Sequence, residues 1–150
     1  MAIFDTFKPS SIRYISRVTA LVAKVQNKAK LALPPPDALL RTILRFATAL
    51  EKLKDFAVLE QRSVSELAAE VELTSTWTRL CEDIAQQARD FHSIDNYIEA
   101  RQEESMHVWV WQRKRAKEVR KVEEAQRRII RDTNDVEELL AQAQAHKYAE

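Results

Sequence analysis

Ile94 to Lys147 reads IDNYIEARQEESMHVWVWQRKRAKEVRKVEEAQRRIIRDTNDVEELLAQAQAHK, and neither proline nor glycine interrupts it. Uninterrupted helix formers of this kind predict one helix of about 54 residues, roughly 80 Å at ~1.5 Å per residue. An apolar block, Val108-Trp109-Val110-Trp111, sits early in the stretch. A basic run from Arg113 to Arg131 follows, and then an acidic one from Asp132 to Glu138. A helix this long needs neighbours, and the rest of the chain can be read for them.

Glycine is absent from all 150 residues. Average usage would place about ten in a chain this size, and tight turns and strand bulges draw on them for positive φ. A β-rich fold is therefore excluded and an all-α one expected. The net charge of +1 conceals four blocks: +7 over 1–54, −8 over 55–105, +6 over 106–131 and −4 over 132–150. Alternation of this kind suits antiparallel helices that turn opposite charges toward each other. A lone cysteine, Cys81, excludes an internal disulfide and fits an intracellular, reducing compartment. No apolar run approaches the ~20 residues of a membrane span, and the N-terminus lacks the apolar core of a secretory signal.

Residues 1–9 carry Phe4 and Phe7 without a regular period, and read as an arm whose aromatic rings dock on a partner. Ser10 or Ser11 can cap a helix to Leu33, with Ile12, Ile15, Val18, Val22, Val25 and Ala29 as one stripe. Apart from Asp5, the first 36 residues are free of acids while carrying six cations. This matches an uncleaved mitochondrial import segment or a helix lying on anionic lipid, as well as an ordinary bundle helix. Pro34-Pro35-Pro36 ends that helix, and a second runs from Asp37 to about Gln61 on a wide apolar face centred on Ile43, Phe46, Leu50 and Leu53. Ser63-Val64-Ser65-Glu66 matches a capping box and opens a third helix, with its stripe running from Val64 through Trp77 and Cys81 to Phe91. His92-Ser93 is the expected break before the long helix.

Three helices of 23–28 residues joined by short connections predict an antiparallel bundle, completed by the first part of the fourth. The expectation is a single domain over 1–150: a 1–9 arm, a 10–120 bundle, and residues 121–150 projecting as a coiled-coil-like helical arm. Val119, Gln126, Thr133 and Leu140 fall in one heptad seam of that arm, and Val122, Ile129, Val136 and Ala143 in the other.

Motifs of catalysis are missing. No glycine-rich loop can cradle a phosphate, no histidine pair or second cysteine offers metal ligands, and Cys81 falls on an apolar stripe that suits an inert thiol. No enzyme activity, cofactor, metal or small-molecule substrate is expected. Four successive helical positions, Val108 to Trp111, cannot all face one core, so Trp109 or Trp111 meets another surface. The expected function is a non-catalytic scaffold or accessory subunit of a larger protein assembly, set in a mitochondrial complex or else the cytoplasm. Its predicted contacts are Phe4, Phe7, Trp109, Trp111, Arg113, Lys114 and Arg115, with Val122, Ile129, Val136 and Leu140 on the arm. One alternative is a peripheral membrane bundle using the N-terminal helix with Trp109 and Trp111. A second is nucleic-acid binding through the basic helix over 113–131, against which Glu118, Glu123 and Glu124 interrupt the run.

Overall fold

The computed structural model describes residues 8–31, 37–103, 113 and 115–149, and among them it is helical with no strand. The described residues form six helices: α1 (Lys8–Leu31), α2 (Asp37–Leu59), α3 (Val64–Glu70), α4 (Thr74–Glu82), α5 (Ile84–Glu103) and α6 (Ala116–Ala149). The expected all-α bundle with a long C-terminal helix is what the chain forms.

Four long helices close a ring in the order α1, α2, α6, α5. Ion pairs and hydrogen bonds fix their directions. Asp83 meets Arg131 while Asp90, seven residues later, meets Arg128, so α5 and α6 run antiparallel. Thr42 meets Gln126, Arg45 meets Glu137 and Glu60 meets Lys147, so α2 and α6 run parallel. Lys24 with Asp95 and Lys28 with Glu99 make α1 and α5 parallel as well. Helices α2 and α5 face each other across the diagonal, where the Phe46 and Phe91 rings lie 6.3 Å apart. The short helices α3 and α4 carry the chain between them, and α3 packs on α1, α2 and α6.

This arrangement corrects the fourth helix in two ways. Since α5 and α6 are antiparallel, the chain reverses between Glu103 and Ala116, and the continuous 54-residue helix is replaced by one of 34 residues. Nor does residue 121 onward project from the bundle. Val122, Ala125, Ile129, Val136, Leu139, Leu140 and Ala143 are buried along α6. The heptad-like pattern is real, but its neighbours are α2 and α5 of the same chain.

The third helix is corrected too. It divides at Val71–Leu73 and at Asp83, and the expected stop at His92-Ser93 is absent. Phe91, Ile94 and Ile98 form one buried stripe straight through that point. No glycine marks the break at Val71–Leu73, nor the end of α2 that the sequence places at about Gln61. After α2, Gln61 takes a left-handed φ of 54° while the Arg62 amide donates to the Ala57 carbonyl and the Gln61 amide to that of Val58. After α3, Glu72 at φ 60° is followed by the same pair of bonds, Leu73 to Ala68 and Glu72 to Ala69. Both are Schellman endings with a side chain where glycine is favoured. The Ser63 cap fares as expected: its hydroxyl accepts from the Glu66 amide at 3.1 Å.

A left-handed residue with a Cβ is strained by ~1–2 kcal/mol, and glycine removes that strain at an entropic cost of ~0.5–1. Gln61→Gly and Glu72→Gly are therefore expected each to raise stability by roughly 0.5–1 kcal/mol. Alanine at either site gives no such gain. Denaturant midpoints of the four variants test this, and equal effects of glycine and alanine would show that φ is not the cause.

The charge blocks serve the bundle. Basic α1 faces acidic α5 through Lys28, 3.0 Å from Asp95. Basic α2 faces the acidic second half of α6 through Arg45, and acidic α5 faces the basic first half of α6 through Asp90. The alternation read in the sequence is thus used between neighbouring helices, parallel as well as antiparallel.

Candidate partner-binding groove between α2 and α6

Two features of the bundle go beyond ordinary apolar packing. The first is a polar seam between α5 and α6. Asp90 is 2% exposed and receives Arg128 Nε at 2.9 and 3.2 Å and Nη2 at 2.5 Å, with the Gln86 amide adding a bond at 2.9 Å. Three residues earlier, Gln87 donates to Asp132 Oδ2 at 2.9 Å, while Asp132 Oδ1 is buried with no hydrogen-bond donor. Arg131 reaches Asp83 at 3.4 Å, and Arg79 pairs with Asp135. The arginine–aspartate pairs tie α5, and the end of α4 before it, to α6, while Asp132 keeps one oxygen unbonded.

Burial pushes the Asp132 carboxyl above its ordinary value of 3.8, with the Gln87 hydrogen bond opposing the shift and Asp83 adding to it. An acid with a raised folded pKa binds more protons in the native state than unfolded, so its contribution weakens as pH rises. Wild type should gain stability relative to Asp132→Asn as pH falls from neutral toward 3.8. Urea titrations of both proteins across that range check the sign, and a constant gap would mean Asp132 titrates normally.

The second feature lies on the opposite side of α6. The parallel pair α2 and α6 leaves a furrow in two adjacent parts, of about 590 and 310 Å³, that share Arg41 and Arg45 as lining. Arg45 crosses between the helices, bonded to Glu137 at 2.5 Å and to Asn134 at 2.9 Å. On one side of that strap lie Leu44, Thr48, Ala49, Lys52, Leu140, Ala141 and Gln144, and on the other Ala38, Thr42, Gln126, Ile130 and Thr133. Leu44 is 53% exposed and Ile130 38% exposed, one on each helix. Small residues, Ala49 and Ala141, keep the furrow open between them.

Why the furrow exists can be traced to two adjacent apolar pairs. Ile43 and Ile129 are fully buried. Successive helical residues are turned by ~100°, so Leu44 and Ile130 fall beside the core face and emerge in the furrow. That signal is present in the sequence, as an extra apolar residue directly following a core one. Neither Leu44 nor Ile130 belongs to the stripes read from the sequence, and the site they mark is missed there.

The residues expected at an interface are placed differently. Val122, Ile129, Val136 and Leu140 are buried in the chain's own core, so they are corrected from partner contacts to bundle packing. Arg113 is exposed and Arg115 half-buried at the start of α6. Phe4, Phe7, Trp109, Trp111 and Lys114 lie outside the described residues. Helix α1 turns its apolar stripe inward, with Ile15, Val18, Val22 and Val25 each 1% exposed. Within the 113–131 run, Arg128 and Arg131 are committed to Asp90 and Asp83. Cys81 is half-buried, and burial, with Glu82 adding, pushes its thiol up to about 12. Among the described residues no helix is long and apolar enough to cross a membrane, and no three His, Cys, Asp or Glu side chains converge as metal ligands. Comparison with protein-family models, with curated proteins and with solved structures returns no match to this chain.

Proposed function

We propose that this chain is a non-catalytic helical scaffold or accessory subunit that holds a protein partner on its α2/α6 face. The observation that carries this reading is the furrow: an opening of several hundred Å³ with an exposed leucine and isoleucine on facing helices and cations along its edge. Helix pairs with an apolar groove and a polar rim are a recurrent way to seat a partner segment. A lipid-binding role for α1 would need its apolar stripe outside, where it instead completes the core. The basic, acid-poor segment 1–36 supports a mitochondrial setting for the assembly.

Ala141→Trp fills the furrow from an exposed position and should leave the fold intact. Wild-type and Ala141→Trp chains are used as baits in extracts of the native source, with co-purifying proteins quantified for each. A specific protein retained by wild type and lost by the variant is the expected result. Equal recovery on both baits, with both folded by circular dichroism, would place any binding elsewhere.

A further inference from the structure

We infer that the segment seated in the α2/α6 furrow is an amphipathic helix whose exposed flank is acidic, with two carboxylates about three turns apart. This rests on the reading of the furrow as a docking face and names the chemistry of its occupant. Arg41 and Lys52 stand on the same edge of α2, eleven positions apart, which is roughly 16 Å along the helix. Neither has an acidic partner in the described structure, whereas Arg45 between them is bound to Glu137 and Lys54 nearby to Glu51. Two uncompensated cations therefore bracket the larger part of the furrow and the exposed Leu44.

The apolar content sets the other face of the occupant. Leu44 and Ile130 offer contacts to aliphatic side chains, while the small residues Ala49 and Ala141 leave room for them. A helix lying along α2 meets that surface with apolar residues at i, i+4 and i+7, and reaches both cations with two acids eleven positions apart on the flank beside that stripe. An extended strand is a poor occupant, because both walls are helices whose backbone groups are already bonded. A basic helix would set like charges against Arg41 and Lys52.

The test displays a library of 18-residue helical peptides, with charge varied along one flank and small or aliphatic residues on the other, against the full chain. Selection is repeated on Arg41→Glu/Lys52→Glu and on Ala141→Trp, each first shown to melt like wild type. Expected is enrichment of peptides with two acids eleven positions apart, bound roughly tenfold more weakly by the charge-reversed protein at low salt. The reversed protein should itself enrich basic peptides, and Ala141→Trp should enrich neither. Peptides that compete at the furrow with no preference for charge would overturn the acidic inference and leave the docking face standing. Absence of any enrichment sensitive to Ala141→Trp would overturn both. Self-association of the chain through this face, abolished by Ala141→Trp in sedimentation, would replace the proposed occupant with a second copy.

Discussion

Cut after Arg120, the chain is expected to lose its cooperative melt altogether, although 120 residues and five of the six described helices remain. The segment removed carries Val122, Ile129, Val136, Leu139 and Leu140 into the core, along with two alanines. Burying a side chain of this size is worth ~1.5–3 kcal/mol, so the five together contribute on the order of 10 kcal/mol. That rivals the ~5–15 kcal/mol by which a domain of this kind is stable. The loss also strips Arg128 from Asp90 and exposes the sides of α2 and α5 that α6 covers. Circular dichroism and thermal unfolding of residues 1–120 decide the matter. A peptide spanning 116–149, added in trans, should restore the transition by refilling the ring. A sharp, reversible melt of the truncated chain alone would mean that α1, α2 and α5 suffice without α6.

An outcome this severe runs against what the sequence invites. Heptad spacing over Val119 to Ala143 says that the helix has an apolar seam, and says nothing about which helix lies against it. Length matching makes the C-terminal helix look too long for the bundle, because the sequence reads as one unbroken helix from Ile94 to Lys147. Instead α5 runs from Ile84 to Glu103 and the chain reverses before Ala116, so that α6 packs on α2 along one side and on α5 along the other, with α3 also against it. That reversal falls where the chain has neither proline nor glycine, so the residues that ordinarily punctuate a helix are silent there. The same holds at Glu72, which adopts a left-handed conformation that sequence reading reserves for glycine. By contrast, the stripes of α1 and α2, the Ser63 cap and the pairing of charge blocks were all legible. Each is set by local spacing or by net charge over a long segment, neither of which depends on where the chain turns. The furrow was not legible as a site, since it arises from α2 and α6 lying parallel, a relation between distant segments.

The last expectation concerns Arg128, whose loss should be the most damaging single change on the partly exposed side of α6. Its guanidinium makes three bonds to a carboxylate, Asp90, that is 2% exposed. Arg128→Ala leaves that carboxylate buried with only the Gln86 amide as an ally. Breaking a buried pair from one side typically costs ~3–5 kcal/mol, and the lower end applies here because the arginine side chain is 32% exposed. Arg128→Lys keeps the charge but not the planar fork, so an intermediate loss is expected. Removing both members is a different matter. Asp90→Leu with Arg128→Met abolishes the buried charge and fills its space with apolar atoms, and such replacements are often neutral or stabilising. The double variant should therefore recover most of what Arg128→Ala loses. Urea titrations of wild type, Asp90→Leu, Arg128→Met and the double variant measure this coupling directly, with Arg128→Ala and Arg128→Lys titrated alongside. If Arg128→Ala costs less than ~1 kcal/mol, the pair behaves as a solvated surface bridge, and the register of α5 on α6 is set by apolar packing alone.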